Sequence, residues 1–143
     1  MRYVKVDVRD LRDDDRPRLL ALAGEAFGTG LGAGETVAVL TRCHVFVAET
    51  RDDVAGRHEI VGYVALVDTG AALHIRQLLV APAHVEEHIG RQLCDWAEGY
   101  AISRGFERVC VDVGEDELRA RVFYAARGYA PGDDGLELVL PHA

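Results

Sequence analysis

The stretch Leu78 to Leu93, L-L-V-A-P-A-H-V-E-E-H-I-G-R-Q-L, carries the architecture of this chain. An apolar strand runs into Pro82, a short polar loop follows, and an amphipathic helix opens near Ile89. The first backbone N–H groups of a helix have no intrahelical partner and the macrodipole is positive there. Strand, loop and helix start in that order therefore make a place for an anion. Glu86 and Glu87 stand in the same loop, and their charge opposes one.

Downstream, Ile89, Leu93, Trp96, Ala97, Tyr100 and Ala101 fall at three- and four-residue steps, and Gly105 stops the helix. Val109, Val111 and Val113 alternate with Cys110 and Asp112 as a strand; Glu115, Asp116 and Glu117 then open a helix that ends at Gly128. After the turn-forming Pro131 to Gly135, Leu136 to Leu140 reads as a final strand. Upstream, the runs Val45 to Glu49, Ile60 to Val67 and Leu73 to Val80 predict an antiparallel meander, with Asp68, Thr69 and Gly70 marking a tight connection. Arg2 to Arg9 alternates as a half-buried strand. Asp13, Asp14 and Asp15 before Pro17 cap a helix running through Phe27, a reading preferred to a metal-binding carboxylate cluster. Gly28 to Gly34 follows a helix instead of a strand, so it is read as a mobile connection and not a dinucleotide fingerprint; a short helix, Glu35 to Leu40, comes next. Strand, helix, strand across residues 73 to 113 is a crossover unit and predicts one parallel pair. The fold class is α/β, with a mixed central sheet of six to seven strands flanked by about four helices.

With 143 residues and 49% hydrophobic content, the expectation is a single domain spanning 1–143. No apolar run approaches eighteen residues, and Met1 leads directly into alternation, which predicts a soluble, cytoplasmic protein. Cys43, Cys94 and Cys110 lie far apart without C-x-x-C spacing and read as free thiols. A formal charge of −8 argues against nucleic-acid and anionic-membrane partners and favours a cationic or neutral acceptor substrate over an anionic one.

The element order resembles the GNAT superfamily of acyl-CoA N-acyltransferases over nearly the whole chain. The resemblance rests on V-A-P-A-H before the helix at Ile89, on I-G-R-Q-L-C-D-W-A at its start, and on V-F-Y-A-A-R-G-Y at residues 122 to 129. It implies acetyl transfer from acetyl-CoA to an amine of a small molecule or peptide. It also implies a cofactor site formed by Leu79, Val80, Val85, His88, Ile89, Gly90 and Arg91, with Glu117 where the family often has an asparagine. Aligned on Pro82 and Gly90, Val85 takes the place of the family arginine, and Glu86 and His88 take the places of glycines. Tyr124 matches the family tyrosine that protonates the leaving thiolate; a core aromatic on a helix is the other reading.

A general base would come from the sheet face near residues 73 to 80. His74 is the better candidate on chemical grounds, with Gln77 beside it and Glu49 weaker; a solvent-facing or satisfied His74 stays open. His84, Glu87 and His88 spell H-x-x-E-H, but Pro82 lies just upstream and the helix starts only near the second histidine, so no metal site is assigned. Two other functional classes stay open: a protein of this fold that no longer binds CoA and serves as a ligand-binding or regulatory module, or an enzyme of altered chemistry; and a structural module, with a homodimer as its expected form.

Overall fold

The computed structural model describes residues 4–27, 33–52, 57–85, 87–133 and 135–141. In chain order these form β1 (Asp7–Asp10), α1 (Arg16–Phe27), α2 (Ala33–Arg42), β2 (His44–Asp52), β3 (Arg57–Asp68), β4 (Ala72–Val80), α3 (Ile89–Ser103), β5 (Arg108–Val111), α4 (Leu118–Ala126), β6 (Ala130–Gly132) and β7 (Gly135–Val139). The strands make one seven-stranded sheet in the order β1-β2-β3-β4-β5-β7-β6. Only β4 and β5 run parallel, joined through α3 as the crossover requires. Among the described residues, no helix is long and apolar enough to cross a membrane.

Both faces of the sheet are covered, which explains why β2 and β3 read as continuous apolar runs. Val45 and Val47 face Leu19, Leu22, Val39 and Leu40 of α1 and α2, together with Tyr63, Ala65 and Leu79. Phe46 and Ala48 point the other way, into a core with Val64, Leu66, Leu73, Ile75, Val109 and Val111 that α3 closes with Ile89, Leu93, Ala97 and Ala101. Gly105, at φ 80°, ends α3, and the Phe106 N–H reaches back to the Ala101 carbonyl at 3.0 Å. Gly128 at φ 98° and the Tyr129 N–H to Tyr124 carbonyl bond of 3.1 Å end α4 in the same way.

Several boundaries differ from the sequence expectation for local physical reasons. The first strand is shorter than Arg2 to Arg9: before Asp7, the chain is held by Gln92 of α3, which accepts from the Val6 N–H at 3.0 Å and donates to the Val4 carbonyl at 2.6 Å. Asp13–Asp15 is a short 3-10 turn, and Asp15 caps it by accepting from the Arg12 N–H at 2.8 Å. The described part of the glycine-rich segment, Ala33 and Gly34, already belongs to α2; residues 28–32 lie outside the described residues. Residues 115–116 form a turn and Glu117 is the N-cap, so α4 starts at Leu118. Pro131, expected in a turn, sits in the edge strand β6, where no inner neighbour needs its missing N–H.

Candidate functional site

The sheet opens where its two parallel strands part. β4 pairs with β5 from Ala72↔Arg108 to Ile75↔Val111. Beyond that point β4 continues to Val80, paired only with β3, from Gln77↔Ala65 to Val80↔Gly62. Among the described residues, the β5-facing edge of β4 from Arg76 onward has no ladder partner. The parting coincides with a bulge: Arg76 is the extra residue between Ile75↔Leu66 and Gln77↔Ala65. A bulge bends and twists its strand, which turns the rest of β4 away from β5. The result is a slot through the sheet.

The slot leads to the loop at residues 81 to 88. Pro82–His84 is a 3-10 turn, and the Glu87 N–H closes a further turn on the His84 carbonyl at 3.2 Å. His88, the N-cap of α3, has φ 60° and ψ 23° and is the only non-glycine residue at positive φ among the described residues. Glycine is the residue that adopts this left-handed turn without strain, so here the chain holds it while bearing a side chain. His88 makes no side-chain capping bond to the first turn of α3. The turn's backbone N–H groups therefore receive no acceptor from the cap, and Gln92 N–H is the first seen to close on His88, at 3.3 Å.

Side chains around this helix start are arranged as follows. The Glu87 carboxylate is held at 2.6 Å from His84 Nδ1. Glu86 lies outside the described residues. Val85 is exposed, whereas Ile89 is fully buried in the core. Arg91 is exposed, with Nη1 3.4 Å from His88 Nδ1. A Cβ on Gly90 would meet Phe123 and Val80 side chains at 3.8 Å, an ordinary contact, so this glycine is not required by space. Between α3 and α4 a groove of about 560 Å³ is lined by Arg91, Val122, Phe123, Ala126 and Arg127. Within the H-x-x-E-H pattern, His84 is bonded to Glu87 and the Arg91 cation stands beside His88; among the described residues no three metal-ligating side chains come together.

Tyr124 lies on α4, 4% exposed, with its ring edge-on to Phe123 and Tyr129, both at 5.1 Å. Burial, reinforced by the neighbouring Cys94 thiol, pushes the phenol well above its ordinary range. Burial likewise pushes Cys94 up to about 12. Both groups are therefore protonated at neutral pH. Arg127 locks this region: it donates to Asp95 Oδ1 at 2.6 Å and Glu98 Oε1 at 3.0 Å, and Tyr129 donates to Glu98 Oε2 at 3.0 Å. Glu117 is turned inward on its own loop, its Oε2 accepting from the Gly114 N–H at 2.7 Å.

On β4, Leu73 and Ile75 belong to the α3/α4 core, so strand alternation places His74 on the opposite face. It is half-buried and level with Cys110 of β5, one pair before the strands part. Gln77 follows the bulge, and its Oε1 accepts from the hydroxyl of fully buried Tyr63 at 2.6 Å. That lock was not anticipated. A tyrosine inside the apolar run I-V-G-Y-V-A-L-V was its one sequence signal, because a buried phenol needs a partner. Glu49 is committed elsewhere: it accepts from Arg9 Nη2 at 3.1 Å, and Arg9 also grips Asp15 at 2.8 and 3.0 Å.

Comparisons with known proteins bear on this arrangement. The model of the acetyltransferase (GNAT) family matches residues 10–129. A comparison with curated protein sequences found no match. Among solved structures, the ribosomal-protein-S18-alanine N-acetyltransferase from Escherichia coli superposes with a TM-score of 0.78 at 15% identity, covering 97% of this chain and 96% of its own. PaiA N-acetyltransferase from Thermoplasma acidophilum, in complex with coenzyme A, gives 0.73 at 16% identity, covering 95% and 99%. A domain from Methanocaldococcus jannaschii gives 0.77 at 16% identity, also covering 95% and 99%. At these identities the likeness is one of fold.

Proposed function

Because the chain belongs to the acetyltransferase (GNAT) family, we propose that it moves an acetyl group from acetyl-CoA to an amine by direct attack, through the slot between β4 and β5. The observation that carries this reading is the parting of the parallel strands beside a helix start whose N-cap side chain does not bond the first turn. The residues present fit an acyl-CoA. The unpaired edge of β4, including Leu79 and Val80, would hold the pantetheine arm by its backbone groups. The amides of His88, Ile89, Gly90 and Arg91 would hold the pyrophosphate, with the helix dipole and the Arg91 cation supplying positive charge. Bound there, the thioester supplies an activated carbonyl: a C–N bond forms and a C–S bond breaks.

The two faces of the sheet divide the proton chemistry. His74 lies on the face away from α3 and α4, where the amine would arrive, and takes up the proton that the amine loses. Tyr124 lies on the α3/α4 face and holds a proton on its hydroxyl, available to the leaving thiolate at the other side of the slot. The Glu87 carboxylate is engaged by His84, which fixes where its charge sits beside the phosphate site.

Calorimetric titration with acetyl-CoA tests the reading. Saturable heat is expected; no heat and no thermal shift at millimolar ligand would leave the non-CoA module in its place. Where binding is present, Tyr124→Phe should lower kcat by about 10²-fold with the acetyl-CoA Kd unchanged. Unchanged kcat with a stability loss of about 1 kcal/mol would assign Tyr124 to the core alone.

A further inference from the structure

We propose that Gln77 selects the acceptor, and that it selects an amine carrying a carbonyl oxygen on the adjacent carbon, as in an amino-acid amide or a peptide N-terminus. This inference rests on the acetyltransferase reading and deepens it. Tyr63 is fully buried on β3, and its hydroxyl donates to Gln77 Oε1 at 2.6 Å. That bond uses the acceptor end of the Gln77 amide and fixes the orientation of the whole group, so the NH2 end is directed away from Tyr63. Among the described residues, no group accepts from Gln77 Nε2. Gln77 is half-buried and is the first residue after the Arg76 bulge, where β4 has just left β5. It also shares the face of Tyr63 and Leu79, opposite Tyr124.

A pre-oriented donor at the amine side of the slot is matched by an oxygen acceptor on the incoming molecule. The rise per residue along β4 is about 3.3 Å, so Nε2 lies within roughly two residues of the slot mouth, where the reacting nitrogen must sit. The oxygen it meets therefore belongs to a group close to that nitrogen, and the carbonyl next to an α-amine is the smallest that fits. An alkylamine offers this NH2 no acceptor and can only crowd out the water around it, so the site favours the amine that supplies one.

The test pairs glycinamide and L-alanyl-L-alaninamide with n-propylamine. In a two-dimensional NMR spectrum of the CoA-bound protein, the side-chain NH2 resonances of Gln77, identified by their absence from Gln77→Glu, should shift on adding either amide and not on adding propylamine. In CoA-release kinetics, kcat/KM for the amides should exceed that for propylamine by at least about tenfold. Gln77→Glu keeps the Tyr63 bond and replaces the donor by an acceptor; it should reduce that ratio to near one, while acetyl-CoA affinity by calorimetry is unchanged. Tyr63→Phe, which releases the amide to rotate, should lower the same ratio about threefold. The two amides separate the sources of the carbonyl: preference for the dipeptide points to a peptide N-terminus, equal use to a small amine. Amide resonances that do not move, a ratio unaltered in Gln77→Glu, or acetyl-CoA binding with neither amide acetylated overturns the inference. Absence of acetyl-CoA binding overturns the enzymatic reading, and this inference with it.

Discussion

His88 sets the geometry of the helix start, and two substitutions measure how firmly. At φ 60° and ψ 23° it occupies the left-handed region, which costs an ordinary L-residue about 1 kcal/mol. Glycine removes that cost and adds a loss of about 0.5–1 kcal/mol through the greater freedom of the unfolded chain. The two effects nearly cancel, and the exposed contact with Arg91 at 3.4 Å adds little. His88→Gly should therefore keep its unfolding free energy within about 0.5 kcal/mol of the parent. Valine is branched at Cβ and strongly disfavoured at this φ, so His88→Val should lose about 2 kcal/mol. For a chain of 143 residues, that separates the two melting temperatures by roughly 6 °C. Urea unfolding followed by circular dichroism, with equal m-values, gives both free energies. Acetyl-CoA titration should show the glycine variant binding at least as tightly as the parent and the valine variant more weakly, because the first amides of α3 depend on this turn. Glycine and valine variants of equal stability would refute the argument, since the left-handed turn would then not be held in solution.

Asp15 gives stability a pH dependence. Arg9 donates to it at 2.8 and 3.0 Å, and this ion pair is the main cause that holds its carboxyl below the usual range, with the Arg12 N–H assisting. A carboxyl lowered on folding contributes stability that is fully present above its unfolded pKa of about 3.9 and is lost as pH falls through the folded value. Asp15→Asn should cost about 2 kcal/mol at pH 7, and the gap to the parent should narrow below about pH 4 in thermal melts; a gap constant down to pH 2 would oppose this. Gly62 pairs with Val80 at the end of β4, and a Cβ there would lie 2.7 Å from the Leu79 carbonyl and 3.3 Å from Leu93. Gly62→Ala should lose about 1–3 kcal/mol and weaken acetyl-CoA binding by shifting the end of β4, whereas unchanged stability would show that the strands move apart freely.

Much of the architecture follows from local chemistry. Apolar runs bounded by turn residues marked β2, β3 and β4, alternation marked β5, the four-residue spacing of Ile89, Leu93, Ala97 and Ala101 marked α3, and Gly105 and Gly128 marked the ends of two helices. These signals work because periodicity and positive φ are properties of a few neighbouring residues. β6 escaped because Pro131 and Gly132 favour a turn, and the pairing with β7 overrides that preference. The start of the chain read as a longer strand because its alternation could not show that Gln92, some ninety residues on, takes the backbone groups of Val4 and Val6.

The site divides along the same line. The sequence alone determined that a strand, a loop and a helix start stand in the order that can receive an anion, and that Tyr124 follows on a later helix. Only the tertiary structure decided that β4 bulges at Arg76 and leaves β5, that His88 holds a glycine-like turn, and that Glu87 pairs with His84. It alone placed Tyr124 on one side of the slot, with His74 and Gln77 on the other. Each of these depends on register between strands or on which face a side chain takes, and one bulge on one strand is enough to change both.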